Sequence, residues 1–204
     1  MKGGNYHPQV ERVAIFIDGS NFYHSVKDNF HVHDNIDMGF EGFKKVIEFL
    51  RSGRILIGIF YYNASLDRNY NEEIYWKQQK FFADLRKIPG LKIVLCRLRK
   101  IINNSGELKY TVKGDDIHIA VDMVSMAYEN AYDTAIIVSG DGDFVPAVKT
   151  IQKLGKKVEN AYFYSTRSDY LRQVCDISVP LDKIVDEYLK EKIKKNPASL
   201  KDKP

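Results

Sequence analysis

Cysteine is scarce in this sequence, and long apolar runs are absent. The 204 residues include only two cysteines, Cys96 and Cys175, which lie in apolar surroundings without CxxC spacing or neighbouring histidines. This excludes a disulfide framework and a cysteine-based zinc site, and we expect both cysteines to be reduced core residues. No run of about 18 apolar residues is present, and the first residues, MKGGNYHPQVER, are too polar for a signal peptide. The sequence therefore predicts a cytoplasmic protein that does not cross a membrane.

A large excess of charge of one sign is also absent. The 31 lysines and arginines and the 27 aspartates and glutamates give a formal net charge of +4. Such a mild positive charge favours a polyanionic partner only weakly. Hydrophobic residues make up 44% of the chain, which excludes a largely disordered protein. The length suits one domain, or one domain with an extension, that buries a sizeable core.

The sequence does contain a regular alternation of apolar strands and amphipathic helices. The first strand, VAIFI, is fully apolar, which is typical of a central parallel strand. This alternation predicts a three-layer α/β/α fold whose central sheet is mostly parallel and is covered on both faces. The predicted strands are Val13–Ile17, Ile55–Asn63, Lys92–Leu98, Tyr110–Val112 at an edge, Ala135–Val138 and Val158–Phe163. The predicted helices are Phe22–Asn29, Phe40–Arg51, Glu72–Lys87, Asp115–Glu129 and Phe144–Leu154, followed by a helical tail.

We expect the folded domain to span residues 13–189. Residues 1–12 form an N-terminal extension in this interpretation. Residues 190–204, KEKIKKNPASLKDKP, are basic and contain proline, so we expect them to form a flexible C-terminal tail.

Acidic residues directly follow two of the predicted strands. Asp18 follows the first strand, and Asp141 and Asp143 follow a later strand in the segment IIVSGDGDF. Ligands of open α/β sheets bind beyond the carboxyl ends of the strands, so three carboxylates meet at one edge if these strands are neighbours. Helix capping is the structural alternative for Asp18 or Asp143 alone, but one cap does not require two carboxylates.

A fourth acid comes from the helix predicted in VKGDDIHIAVDMVSMAYE. Asp116 begins the side of this helix that carries Ile119 and Met123, so we expect its carboxylate to point inward. An inward carboxylate needs a partner, and a metal ion supplies one. A polar stripe, typical of a solvated face, consists of Asp115, His118, Asp122, Ser125 and Glu129.

The chemistry of these acids indicates a hard cation. Oxygen ligands from several aspartates, without a histidine or cysteine cluster, suit Mg²⁺ or Mn²⁺. Such ions bind a phosphodiester, activate a water molecule and stabilise the leaving oxygen, so the acids predict phosphodiester hydrolysis. A phosphatase of the haloacid dehalogenase type is a weaker interpretation. It requires the pattern DxD directly after the first strand, where this sequence has Asp18-Gly19-Ser20.

Three segments carry a further signal: VAIFIDGSNFY, VKGDDIHIAVDMVSMAYENAYDTAIIVSGDGDFVPAVKTIQKLGKKV and LRQVCDISVPLDKI. They resemble the NYN domain family, and more narrowly its bacterial LabA-like (DUF88) branch within the PIN-like nuclease superfamily. The resemblance covers about Val13 to Ile184, and the motifs DGSN, KGxD and SGDxDF occur in the family's order.

The resemblance implies a compact PIN-like, Rossmann-like nuclease domain that uses Mg²⁺ or Mn²⁺ to cut RNA. Single-stranded RNA is then the expected partner, and homo-oligomerisation is left open. Asp115 fills the variable position of KGxD and ranks below Asp116. The implied catalytic and metal-binding residues are Asp18, Asp116, Asp141 and Asp143. The implied substrate-binding or supporting residues are Ser20, Asn21, Lys113, Asp122 and Ser139.

Cationic residues near the acids have two open interpretations. Lys113 either contacts the scissile phosphate or balances the charge of the acids. Arg97, Arg99 and Lys100 either follow an RNA backbone through phosphate contacts or form a solvated surface.

The leading hypothesis is a metal-dependent ribonuclease. The alternative is a catalytically weak or inactive regulatory module of the same fold that binds RNA or protein. The complete set of acids favours the enzyme, because a non-catalytic site has no reason to keep like charges together.

Overall fold

The predicted fold class is confirmed by the computed structural model, which describes residues 10–29, 39–69, 71–102 and 108–195. Seven strands form one sheet in the order β4-β3-β2-β1-β5-β6-β7. All neighbouring strands are parallel except β3 and β4, which are antiparallel. The strands are β1 (Arg12–Asp18), β2 (Ile55–Ala64), β3 (Leu91–Ile102), β4 (Leu108–Lys113), β5 (Thr134–Val138), β6 (Lys157–Tyr162) and β7 (Ile177–Pro180). The helices are α1 (Gly19–Asn29), α2 (Gly39–Arg51), α3 (Glu72–Leu85), α4 (Asp115–Tyr128), α5 (Val145–Lys153), α6 (Asp169–Val174) and α7 (Asp182–Lys195).

The sheet has a hydrophobic core on each face because side chains alternate along its central strands. From β1, Ile15 and Ile17 pack on the face covered by α1, α2, α3 and α7. Ala14 and Phe16 pack on the other face, against α4, α5 and α6. β1 is apolar throughout because both of its faces are covered, as predicted from VAIFI.

The C-terminal part of the fold differs from the prediction of a single helical tail. It contains the short helix α6, the edge strand β7 and the helix α7. The strand β7 has four residues, ends at Pro180 and pairs with β6 alone. So short an edge strand, closed by a proline, carries too little apolar periodicity to be recognised from sequence.

Helix α7 continues past the expected domain boundary at residue 189. Leu189 is buried, and Glu191 forms an ion pair with Lys45 of α2, with 2.7 Å between the charged atoms. The helix therefore extends to Lys195, into the segment expected to be a flexible tail. Residues 1–9 and 196–204 lie outside the described residues. Within the described ranges, no helix is long and apolar enough to cross a membrane.

The strand order places a topological switch point beside β1. From β1 the chain builds the sheet outward through β2 and β3, and later returns to add β5 and β6 on the other side. Ile17 is paired with Val138, so the ends of β1 and β5 lie side by side. Crevices at such positions are the usual ligand sites of open α/β sheets.

Candidate active site

Asp18 is the buried centre of the site at the end of β1. Its side chain is 4% exposed. One carboxylate oxygen accepts a hydrogen bond from the backbone N–H of Asn21 at 2.9 Å, and the other accepts from the hydroxyl of Ser139 at 3.0 Å. Burial raises the pKa of Asp18 to about 6, and the negative charges of Asp115 and Asp116 add to the increase. The two hydrogen bonds lower the pKa but do not offset burial.

The loop after β5 is held in place by hydrogen bonds to helix α1 and to strand β6. The backbone N–H of Gly140 donates to the side-chain oxygen of Asn21 at 3.1 Å. Asn160 of β6 donates to the carbonyl oxygen of Ser139 at 2.8 Å. Asp141 accepts from the backbone N–H of Asp143 at 2.8 Å and thereby caps a 3₁₀ turn, Gly142–Phe144. Asp141 thus has a capping role, while Asp143 remains exposed.

Gly140 allows a very close approach between this loop and the segment after β6. A Cβ atom at position 140 would overlap the carbonyl oxygen of Thr166. The hydroxyl of Thr166 in turn forms a hydrogen bond of 2.7 Å with the hydroxyl of Ser25 in α1. Because Gly140 has no side chain, the acidic loop packs on the loop after β6, which is in turn hydrogen-bonded to α1.

The start of α4 adds two more carboxylates to the site. Gly114, with φ of 84°, makes the left-handed turn that separates β4 from the helix. Asp116 is half-buried, and its pKa is raised first by burial and then by the charges of Asp115, Asp141 and Asp143. The positive charge of Lys113 has the opposite effect and lowers the pKa of Asp116. The four expected ligands therefore belong to one electrostatically coupled group.

The expectation that Asp115 lies on a solvated stripe is wrong. Asp115 is 7% exposed and is more buried than Asp116. The reason is helical periodicity: Asp115 begins the row Ile119, Met123 and Ala127, whose steps of four residues face the sheet. Asp115 therefore joins Asp18 inside the site, where its charge raises the pKa of Asp18.

Asp122 is held by a contact that the sequence did not reveal. The hydroxyl of Tyr62, a fully buried residue of β2, donates to Asp122 at 2.8 Å. The two residues are 60 positions apart, so no local pattern indicates their pairing.

Burial raises the pKa of the half-buried Cys96 to about 11, and the charges of Asp115, Asp116, Asp122 and Asp18 raise it further. The field of the acids thus extends from the end of β1 to β3.

Comparison with known families supports the assignment that the motifs implied. The family model described as the NYN domain matches residues 12–182, which include every residue of the site. The chain belongs to the NYN domain family.

Two curated proteins and one solved structure are similar to this NYN domain. The chain is 25% identical to the low amplitude and bright protein LabA of Synechococcus elongatus over 144 residues, which cover 69% of this chain and 68% of LabA. This match supports assignment of the chain to the LabA-like branch. The chain is also 33% identical to an uncharacterised protein of Methanocaldococcus jannaschii over 61 residues, which cover 30% of this chain and 25% of that protein. The crystal structure of a protein of unknown function from Vibrio parahaemolyticus has the same fold, with a TM-score of 0.63 and 20% identity over 87% of this chain and 97% of that one.

The acids of the NYN domain fit a hard cation in their chemistry, although they do not form a closed cage. No three Asp, Glu, His or Cys side chains among the described residues converge in a geometry that holds a metal ion. Mg²⁺ commonly uses only one or two carboxylates and fills its other positions with water and substrate phosphate. Each carboxylate oxygen of Asp18 has a second lone pair beyond the hydrogen bond that it accepts. The donor set therefore suits Mg²⁺ or Mn²⁺ in an open site.

The remaining expected site residues surround these acids. Ser20 is half-buried in the first turn of α1, beside Asp18 in the chain. Ser139 is 2% exposed and accepts from the backbone N–H of Asp141 at 3.1 Å while it donates to Asp18. Asn21 and Ser139 therefore fix the positions of acids rather than face open solvent.

Proposed function

We propose that this NYN domain is a ribonuclease that depends on Mg²⁺ or Mn²⁺ and hydrolyses phosphodiester bonds in single-stranded RNA. The observation that carries the proposal is the coupled group of acids at the switch point between β1 and β5. The charge of Asp116 raises the pKa of Asp18, and the charges of Asp141 and Asp143 raise the pKa of Asp116. These carboxylates are therefore electrostatically coupled. Membership of the NYN family, which is related to PIN-like nucleases, agrees with this chemistry.

The residues have distinct roles in the proposed reaction. Asp18, Asp116, Asp141 and Asp143 would bind the cation, some of them directly and the others through water molecules, and Asp115 adds negative charge beside Asp18. When bound, the cation lowers the pKa of a water molecule and stabilises the leaving oxygen of the phosphodiester.

Neighbouring residues fix these acids and bind the substrate. Asn21 and Ser139 set the rotamer of Asp18 through their hydrogen bonds, and Tyr62 sets that of Asp122. Lys113 is exposed next to Asp116 and contacts a substrate phosphate. Cys96 and Cys175 are free thiols, which agrees with a reducing, cytoplasmic setting.

The alternative function is a regulatory module that binds RNA or protein without cutting it. The observation that favours it is the absence, within the described ranges, of three side chains converged on a metal position. A binding module does not require the acids to be charged, whereas the nuclease does. The two functions therefore differ in their response to neutralisation of a single acid.

The deciding experiment is cleavage of labelled single-stranded RNA with Mn²⁺ or Mg²⁺. We expect the wild-type protein to cleave and Asp143→Asn to lose at least about 100-fold in rate, because the amide keeps the shape but loses the charge that binds the cation. Asp143 is exposed, so this variant is expected to keep its fold. Calcium is expected to support cleavage poorly, since its coordination is looser.

Contaminating ribonuclease is the main source of a false result. The variant is therefore purified by the identical procedure, and its folding is checked by circular dichroism. Equal cleavage by the wild-type protein and Asp143→Asn assigns the activity to a contaminant and favours the binding module.

A further inference from the structure

Strands β3 and β4 form an arm that projects from the sheet at the same edge as the acids. The pairing of β2 with β3 ends at Cys96, and from Arg97 to Ile102 strand β3 pairs only with β4. We call residues 97–102 and 108–113 the β3–β4 arm. At about 3.3 Å per residue, it extends about 20 Å beyond the end of β2.

Strand register places the base of the arm level with the active site. Asp18 is paired with Tyr62, and Tyr62 is paired with Val94. Arg97 follows Val94 in the same direction as the carboxyl ends of β1 and β2, so the arm begins just beyond the level of Asp18. Its other strand ends at Lys113, which is followed by Gly114 and the acids Asp115 and Asp116.

The arm carries a set of exposed cations around one groove. This groove is lined by Arg97, Leu98, Arg99, Lys100 and Lys113. Arg97 lies directly opposite Lys113 across the two strands, so two positive charges lie close together at the base of the arm. Lys100 forms an ion pair with Asp67 at 2.8 Å. Among the residues that the structure describes, Arg97, Arg99 and Lys113 form no ion pair.

Protection of an open sheet edge explains only part of this charge. Cations on edge strands commonly prevent pairing with another chain, and beyond Cys96 the β2 side of β3 is such an open edge. A polyanion explains in addition why the cations lie beside the acids. The acidic site repels phosphates unless a nearby positive surface attracts them, and the arm supplies that surface next to the acids.

We propose that the β3–β4 arm binds the phosphodiester backbone of single-stranded RNA and directs the strand to the acids at the end of β1. That the polymer is RNA follows from the proposed function, whereas binding of an anion is inferred from the cations of the arm itself. Arg97 and Arg99 contact phosphates outside the reaction centre, and Lys113 contacts the strand where it enters the site.

The test is binding of a fluorescein-labelled oligouridylate in EDTA, measured by anisotropy over a range of salt concentrations. The variant R97Q/R99Q removes two charges from the arm. The control variant R86Q/K153Q removes two charges from exposed positions at the ends of α3 and α5, near the opposite edge of the sheet.

We expect R97Q/R99Q to reduce the slope of log affinity against log salt by about 1.4, because each single-strand phosphate contact contributes about 0.7. If the affinities of both proteins converge near about 1 M salt, binding at about 0.1 M salt becomes roughly 25-fold weaker. The control variant is expected to keep the wild-type slope.

Cleavage is scored separately from binding, so the two proposals fail in different ways. Equal salt slopes for wild type and R97Q/R99Q, equal losses in both double variants, or no RNA binding by the wild-type protein would each overturn the role of the arm. RNA binding that depends on the arm, without cleavage in Mn²⁺, supports the arm and contradicts the nuclease.

Discussion

At the scale of single residues, Asp18 is the most costly part of the site in the metal-free protein. Its pKa is about 6 in the folded protein and about 3.9 in an unfolded chain. Between these values the folded state binds more protons, so the free energy of unfolding falls as pH rises from about 4 to about 6. The loss is about 3 kcal/mol at 1.36 kcal/mol per pKa unit and persists above pH 6. On the proposed function, a bound cation offsets this cost, because it stabilises the charged carboxylate of Asp18.

We expect Asp18→Asn to stabilise the metal-free protein at pH 7 by up to about 3 kcal/mol, because the amide carries no buried charge. Its oxygen still accepts a hydrogen bond, and its amino group can donate to the hydroxyl oxygen of Ser139. Urea denaturation in EDTA at several pH values measures this effect. The advantage of the variant is expected to vanish near pH 4, where Asp18 is protonated in the folded wild type.

The same pH series supplies the control for this prediction. If Asp18→Asn is less stable than wild type at pH 7 in EDTA, the carboxylate is stabilised by its hydrogen bonds, and the cost of burying its charge is not the dominant effect. A difference that does not change with pH would assign the effect to shape rather than charge.

Single residues of the site were predictable from sequence where strand ends or spacing placed them. Asp18 ends β1, and Asp141 and Asp143 lie in the loop after β5, so their position at one edge required only that β1 and β5 be neighbours, as they are. Asp115 was wrongly predicted to lie on the solvated face of α4. Few residues in the first turn of a helix show which of its faces is buried. The partner of Asp122 could not be predicted, because Tyr62 comes from a distant strand.

At the scale of elements, the loop after β5 depends on its contact with the loop after β6. Gly140 packs directly on the backbone of Thr166, whereas a Cβ at Gly142 would lie 2.9 Å from the side-chain hydroxyl of Ser168. Backbone cannot rotate away as a serine side chain can. The two glycines of SGDGD thus tolerate a methyl group to different extents.

We expect Gly140→Ala to reduce the free energy of unfolding by about 3 kcal/mol or more, because overpacking against backbone displaces a loop. Gly142→Ala, the matched control, is expected to cost about 1 to 2 kcal/mol, because rotation of Ser168 breaks the N-cap hydrogen bond that it accepts from Leu171. Denaturant titrations of both variants measure the difference. Equal stabilities would show that the loop after β6 moves freely and does not fix the acids.

The elements of the fold were predictable to different degrees for a physical reason. Buried strands such as β1 and β5 have continuous apolar sequences because both faces are covered, and the sequence predicted them. The edge strand β7 is only partly buried and has no such signal. The length of β3 was underestimated because its end leaves the core and carries the arginines of the arm.

At the scale of the whole molecule, binding of a cation must appear as a change in global stability. A ligand that binds only the folded state adds about 2.7 kcal/mol at about one hundred times its Kd. We therefore expect Mn²⁺ to raise the melting temperature and EDTA to reverse the increase. Asp116→Asn is expected to reduce the shift, because it removes one charge from the coupled acids.

The matched control for the thermal shift is Glu187→Gln, which removes one exposed negative charge from α7. This variant is expected to keep the full response to Mn²⁺. An equal reduction in both variants would indicate non-specific cation binding to the surface. No shift in the wild-type protein would contradict a metal site in the absence of RNA.

The order of strands in the sheet also affects when the site is completed during synthesis. Asp18 and its partner Ser139 are 121 residues apart, although they lie at the ends of adjacent strands. Because chains are made from the N-terminus, β1, β2 and β3 leave the ribosome long before β5. Asp18 then lacks Ser139 and the acids of the later loop. On the proposed function, the nascent chain is inert toward the messenger RNA that encodes it until β5 and the loop that follows it have left the ribosome.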